Sequence, residues 1–177
     1  TDDEANTLSA IVSDWGPWDD AYSYVQGNKS DFIEANLAPD TFQNLRLNAV
    51  IITNRNGEII YSAGYNVSTR AIVPVPEELL HQLNPENPLM NISDPRSATS
   101  GFLLLSDFPM LIASRPIVRT DFSGEPQGVM IMGRSIDNDE VQRLAQLTRP
   151  SLIFYRLDDP ALPAAVLEDI RKENPDN

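Results

Sequence analysis

Two arginines interrupt apolar segments of the sequence, and both have side chains that could bind a charged group. Arg115 lies within the apolar segment 110–118, and Arg134 lies within the apolar segment 128–135. A guanidinium in a buried strand needs a partner, because an isolated buried charge is strongly destabilising. That partner is either Asp19, which would tie a helix to the sheet, or a ligand carboxylate held through two parallel hydrogen bonds. We expect Arg115 to bind the ligand, since the sequence offers it no obvious partner.

Aromatic residues near the N terminus form a second candidate feature. Trp15, Trp18 and Tyr22 continue an apolar stripe whose members recur every three or four positions, the spacing of one helical face. Such a stripe can line a ligand pocket, pack a helix onto a sheet, or form a seam with a second copy of the chain. The sequence leaves these uses open. With Tyr61 of a predicted hairpin added, the candidate ligand-binding residues are Trp15, Trp18, Asp19, Tyr22, Tyr61, Arg115 and Arg134.

Composition excludes several classes of function. The 177 residues include no cysteine and one histidine, His81, which excludes a disulfide scaffold, a zinc-cysteine site and a cysteine nucleophile. The formal net charge of −13 leaves no basic surface for nucleic acid. The sequence lacks a glycine-rich phosphate loop and the G-x-S-x-G and H-E-x-x-H motifs, and the acidic residues 137–140 fit a helix start better than a calcium loop. We therefore predict a non-enzymatic domain with no catalytic residue, no metal site, no cofactor and no nucleic-acid partner.

Hydrophobic periodicity predicts an α+β fold. A long helix is expected over residues 3–26, with a kink or a break at Gly16-Pro17, because proline removes the backbone hydrogen bond to residue 13. Hairpin connections indicate an antiparallel sheet, and strands that are apolar on both faces indicate helices on both sides of it. The predicted strands are 48–53, 58–62, 100–106, 110–118, 128–135 and 151–156, and the predicted shorter helices are 30–35, 40–46, 77–83 and 137–147.

Two motifs in this order resemble a known family. The first is W-x-x-W-D-x-x-Y, formed by Trp15, Trp18, Asp19 and Tyr22, and the second is G-R-x-[IL]-D at residues 133–137. Together with the hairpin segment between them, they resemble the fourth subtype of the CHASE domains, and the resemblance covers residues 5–157. Because the two motifs occur together in that family, the resemblance also favours Arg134 as the partner of Asp19.

The resemblance implies a receptor module outside the cytoplasmic membrane. CHASE domains lie between two transmembrane helices and are joined inside the cell to histidine kinases, diguanylate cyclases or phosphodiesterases. Their fold is similar to PAS-like and Cache-like sensors, with a long N-terminal helix and a central antiparallel sheet. We accordingly predict one extracytoplasmic sensor domain over residues 1–157, with its helix at 3–26 and its sheet core at 48–156. Residues 158–177 are expected to form a turn and a helix that could begin a continuation of the domain.

The predicted function is the ligand-sensing input of a membrane-tethered receptor. An unidentified small molecule would bind between the sheet and the N-terminal helix, which would transmit its occupancy through the membrane. The alternative is a protein-interaction or dimerisation module without a small ligand, in which the N-terminal helix forms a homodimer seam. No apolar run in the sequence approaches the ~20 residues that span a bilayer.

Overall fold

Six strands form one antiparallel sheet in the computed structural model, which describes residues 2–106 and 108–136. The sheet has the spatial order β3-β2-β1-β6-β5-β4. The first strand in the chain, β1, therefore pairs with the last described strand, β6, in the middle of the sheet. All neighbouring strands are antiparallel. The strands are β1 (Ala49–Thr53), β2 (Ile59–Asn66), β3 (Ala71–Val73), β4 (Thr99–Leu104), β5 (Pro109–Ile117) and β6 (Gly128–Ser135).

Helices cover both faces of this sheet. The helices are α1 (Asp2–Trp15), α2 (Asp19–Val25), α3 (Phe32–Asn36), α4 (Pro39–Leu45), α5 (Glu77–Gln82) and a 3-10 helix (Pro88–Met90). Alternate residues of β1, β5 and β6, such as Ile51, Ile112 and Ile131, pack with α5 and the 3-10 helix in one apolar cluster. On the opposite face α1 packs against β5 and β6, where Leu8 and Val12 are fully buried. This face carries both Arg115 and Arg134, since each extends to a residue of α1.

The N-terminal helix is broken at the place that the sequence predicts. Helix α1 ends at Trp15 and α2 begins at Asp19, because Pro17 has no backbone N–H to continue the helical ladder. The connecting residues dock on the end of β5: Val118 N–H donates to the carbonyl oxygen of Gly16 at 3.2 Å, and Pro17 forms a bridge with Val118. The break is therefore held against the sheet by backbone contacts.

Hydrogen bonds within two connections set the register of the central strands. In the β1–β2 turn, the Asn54 side chain accepts hydrogen bonds from the N–H groups of Asn56 and Glu58, and Gly57 supplies the positive φ of 80°. The longer β5–β6 connection is closed where Gln127 N–H donates to the Ile117 carbonyl oxygen at 3.0 Å. The N-R-N-G signal in the sequence thus gives the predicted hairpin.

Most sequence-based element predictions agree with the structure. The α+β class, the antiparallel sheet and the predicted strands up to residue 135 are confirmed, with ends that differ by a few residues. The short edge strand β3 and the 3-10 helix were not predicted, because a three-residue element gives almost no periodicity. The predicted helix 137–147, strand 151–156 and tail 158–177 lie outside the described residues.

Gly16 allows the helix break to approach β5 closely, which gives a test of this packing. A Cβ atom at Gly16 would lie 2.8 Å from Arg115 Cγ and 2.9 Å from the Pro116 carbonyl oxygen. We expect Gly16→Ala to lower the free energy of unfolding by about 1–3 kcal/mol, because the backbone oxygen cannot move without disturbing the strand. Urea denaturation at pH 7 measures this loss.

Gly101→Ala is the matched control, since a Cβ atom there would meet nothing within 4 Å. Its expected effect is a change of less than about 0.5 kcal/mol. Equal stability of the two variants would contradict the close packing of the helix break on β5.

Candidate functional site

Arg115 lies where α1 ends, and its guanidinium has a donor, Nε, that no described residue uses. Its Nη1 donates to Ser13 Oγ of α1 at 3.1 Å, and its aliphatic stem lies against Gly16. Its Nε is buried and has no hydrogen-bond partner among residues 2–106 and 108–136. Leaving a buried donor unsatisfied costs about 1–3 kcal/mol, so this atom marks a place where an added acceptor would be stabilising.

Two further arginines are linked to Arg115, Arg96 through the ring of Phe122 and Arg119 through the backbone that follows β5. The three are called the arginine cluster below: Arg96, Arg115 and Arg119. The guanidinium carbon of Arg96 lies 4.5 Å from the centroid of the Phe122 ring, and that of Arg115 lies 6.0 Å from it. Arg119 lies over the ring of Tyr22 at 4.9 Å. The β5–β6 connection links these contacts, because Phe122 N–H donates to the Arg119 carbonyl oxygen at 2.8 Å. Cation–π contacts of this kind hold guanidinium groups in place without neutralising them.

No carboxylate forms an ion pair with the arginine cluster in the part of the chain that the structure describes. Asp121 is the nearest acidic residue in sequence, and its side chain accepts a hydrogen bond from Ser123 N–H at 2.8 Å. Hydrogen bonds from Ser123 lower the pKa of the Asp121 carboxyl, and the charge of Arg119 lowers it further. Asp121 is fully solvated, so its effect on Arg119 is screened by water.

The backbone of Phe122 is strained. Its φ angle is +61°, in the left-handed region that non-glycine residues rarely adopt, at a cost of about 1–2 kcal/mol. This conformation brings the ring to Arg96 and Arg115. Residues held in such conformations are concentrated at functional sites.

Asp19 does not pair with either predicted arginine. Its carboxylate accepts a hydrogen bond from Thr120 N–H at 3.0 Å, and Thr120 Oγ1 accepts one from Asp19 N–H at 3.3 Å. The prediction of an Asp19–Arg134 pair is therefore wrong. Asp19 is exposed, and it joins the start of α2 to the segment that follows β5.

The partner of Arg134 is Glu4, at the opposite end of α1 from Arg115. Both side chains are buried and form an ion pair, and Arg134 also donates to the carbonyl oxygens of Leu45 and Arg46 at 3.1 and 3.0 Å. These carbonyls end α4, where the helix dipole favours a cation. Sequence position alone identifies Glu4 only as an acid in the first turn of a helix, which the helix dipole favours. The signal that identifies it is its spacing: Glu4, Leu8 and Val12 recur every four residues, so Glu4 lies on the buried face.

The remaining aromatic candidates pack with one another. Trp15 and Trp18 form an edge contact with ring centroids 5.4 Å apart, and Trp18 meets Phe32 at 5.3 Å. Phe32 stacks on Tyr24 at 5.2 Å. Burial raises the pKa of the Tyr61 hydroxyl, and the neighbouring Tyr24 raises it further, so both rings are neutral at pH 7.

The seven predicted site residues thus lie in three places. Trp15, Trp18 and Tyr61 lie among the aromatic rings near α2 and α3, and Arg134 lies at the start of α1. Arg115 belongs to the arginine cluster, and the ring of Tyr22 contacts Arg119 of that cluster. Asp19 lies at the start of α2 and is bonded to Thr120. Sequence reasoning missed Arg96, Arg119 and Phe122, because they lie in or beside irregular segments where no periodicity relates them to Arg115.

A separate cavity of about 210 Å³ lies on the other face of the sheet, between β4 and the 3-10 helix. Leu89, Leu103 and Ile112 supply apolar walls, and Asn87 and Ser100 supply polar groups. None of the described residues that line it is charged, so it suits a small neutral molecule rather than an ion.

Comparison with known proteins identifies the family. The chain matches the family model of the CHASE4 domain over residues 2–155. It is also 30 % identical over 146 residues to the methanogenesis regulatory histidine kinase FilI of Methanothrix harundinacea (strain 6Ac). This chain belongs to the CHASE4 domain family. The FilI match covers 82 % of the CHASE4 chain and 16 % of FilI, so the chain corresponds to a small part of that kinase.

Two solved structures share the fold of this CHASE4 domain. One is the extracellular domain of the candidate histidine kinase vpHK1S-Z8, with a TM-score of 0.54 and 16 % identity. The other is a domain of a candidate sensory box/GGDEF family protein from Vibrio parahaemolyticus, with a TM-score of 0.51 and 15 % identity. Each match covers 82 % of this chain, and 54 % and 57 % of the two solved chains respectively. At this identity the likeness establishes the fold, and it confirms the predicted α+β fold with a central antiparallel sheet.

Among the described residues of the CHASE4 domain, no helix has the length and apolar character needed to cross a membrane. The same residues contain no group of three or more acidic or histidine side chains that could hold a metal ion.

Replacing Glu4 and Asp19 tests the corrected pairing of Arg134. We expect Glu4→Ala to lower the free energy of unfolding by about 3–5 kcal/mol, because it leaves a buried guanidinium without its carboxylate. Asp19→Ala should cost only about 1 kcal/mol, the value of one partly exposed hydrogen bond. Chemical denaturation of both variants at pH 7 measures the difference, and a larger loss for Asp19→Ala would restore the pairing that the structure contradicts.

Proposed function

We propose that this CHASE4 domain is the extracytoplasmic, ligand-sensing input of a transmembrane signalling receptor. Its output would be a histidine kinase or an enzyme that makes or degrades cyclic di-GMP. Family membership supports an input role, since the relatives named above are a histidine kinase, the extracellular domain of a candidate histidine kinase and a sensory box/GGDEF protein. The domain itself would bind a ligand and carry out no reaction.

The observation that carries this proposal is the hydrogen bond from Arg115 to Ser13 beside the helix break. Arg115 belongs to the rigid sheet, whereas Ser13 belongs to the last turn of α1. An acceptor that engaged the unused Nε of Arg115 would alter the guanidinium that holds this turn. A ligand with different affinity for two positions of α1 would shift their populations, which is the requirement for signal transmission.

The other end of α1 supplies the fixed point for such a shift. Glu4 is held by the buried Arg134 guanidinium, which is itself bonded to the end of α4. Contacts at Glu4 and Ser13 lie nine residues apart, which is about 13 Å along a helix. Rearrangement at Ser13 would therefore tilt α1 about an anchored end, rather than release the whole helix.

We place a small-ligand function ahead of homodimerisation through the N-terminal helix. Leu8 and Val12 are buried against the sheet of the same chain, so they are not available to a second copy. Asn6, Ala10 and Asp14 lie on the exposed side of α1 at helical spacing, and they offer little apolar area for a seam.

A ligand screen on the purified domain tests the proposal. The library contains amino acids, organic acids, nucleosides, sugars and divalent ions, and the measurement is the thermal unfolding midpoint. A compound at 100 times its Kd should add about 2.7 kcal/mol to the free energy of unfolding and raise Tm by roughly 5–10 °C.

Calorimetry should reproduce any shift with a stoichiometry of one. The result that overturns the proposal is a blank screen together with a concentration-dependent dimer in sedimentation experiments. That combination would favour the alternative function, an interaction module that works without a small ligand.

A further inference from the structure

We infer that the arginine cluster, with the rings of Phe122 and Tyr22, is a binding site for a small carboxylate that carries an apolar group. The inference rests on the proposed function and names the chemical class of the ligand. It depends on three observations: an unused buried donor of Arg115, guanidinium groups that form no ion pair with a carboxylate among the described residues, and the contacts of these groups with the rings of Phe122 and Tyr22.

The donor set matches a carboxylate. Arg115 uses Nη1 to hold Ser13, and its Nε has no acceptor in the described part of the chain. A guanidinium offers paired donors along its edges, and a planar carboxylate accepts two parallel bonds from such a pair. Binding on the unused edge would reorient the guanidinium whose Nη1 holds Ser13, so one side chain would link the ligand to α1.

Access to the buried Nε requires a local change at Phe122. The Arg115 guanidinium carbon lies 6.0 Å from the centre of the Phe122 ring, and the strained backbone of this residue stores energy that a new conformation would release. The ligand carboxylate would take the place beside Arg115, and its apolar group would contact the rings of Phe122 and Tyr22.

Charge selects the anion. The guanidinium groups of Arg96 and Arg115, which share the ring of Phe122, attract a carboxylate locally, while the chain as a whole carries a formal net charge of −13. This overall field opposes the approach of a highly charged polyanion more than that of a monoanion. The site therefore suits a compact carboxylate of low charge better than a nucleotide or an oligophosphate.

Matched pairs of acids and amides test the inference on the purified domain. The probes are phenylacetate and hexanoate, their neutral amides phenylacetamide and hexanamide, and inorganic phosphate at equal ionic strength. Calorimetry should detect the acids, and the amides should bind about tenfold more weakly or not at all, since charge-assisted hydrogen bonds are lost. Phosphate should bind more weakly than either acid.

Arginine variants locate the site. Arg115→Gln should raise the Kd of the bound acid about tenfold or more. Arg119→Gln should raise it about two- to fivefold, and because Arg119 is exposed this variant keeps the test valid if Arg115→Gln is unstable. Arg70→Gln is the control, since it removes the same charge from the exposed β2–β3 connection and should leave the Kd unchanged.

Two results would overturn the inference. One is equal affinity for acids and amides, and the other is a bound acid whose Kd does not change in the Arg115 and Arg119 variants. Failure of every acid probe while a neutral compound of the larger library binds would also overturn it, and would leave the sensor proposal intact. A blank with both the acids and the larger library would count against the sensor proposal as well.

Discussion

The buried ion pair of Arg134 with Glu4 is the constraint on which the arrangement of this domain depends. A guanidinium inside a sheet is tolerated only when its charge and its donors are satisfied. Among the described residues, Arg134 pairs with a carboxylate of α1 and donates to two carbonyl oxygens at the end of α4. The same contact fixes the start of α1 over β6 and closes α4 against the sheet. Leu8 and Val12 then follow on the buried face because they lie one and two turns further along.

Arg115 is also an arginine on this face of the sheet, yet its hydrogen-bond partners differ from those of Arg134. It has a single neutral hydrogen-bond partner, Ser13, and one buried donor without a partner in the described residues. The backbone bond of Gly16 to Val118 and the close approach of Gly16 to Arg115 and Pro116 also hold the helix break. The sheet thus carries one arginine that is paired with a carboxylate and a second whose buried Nε has no partner among the described residues.

Periodicity and turn chemistry predicted the elements of this fold well. The alternation and β-branched content of β1, β5 and β6, the N-R-N-G turn and Pro17 are local signals, and each has its expected effect. Side-chain partners were harder to predict, because they depend on the register between elements. Asp19 and Glu4 are both acids on the N-terminal helices, and only the packing of α1 on the sheet decides which of them reaches Arg134. Arg96 and Arg119 lie outside regular elements, so no pattern in the sequence connects them with Arg115.

The β5–β6 connection has a consequence for how the family can diversify. Its ends are tied by the bond between Gln127 and Ile117, and the strands beyond them are in continuous register. Arg119 and Phe122 lie inside this closed loop, whereas the Glu4–Arg134 pair and the apolar cluster that contains Ile51, Ile112 and Ile131 lie outside it. Substitutions or changes of length within the loop would therefore alter the side chains that lie beside the break between α1 and α2, while the strands keep their register. Part of the proposed ligand site would thus lie in a segment that can change without shifting the strand register, whereas Arg115 would stay fixed within β5.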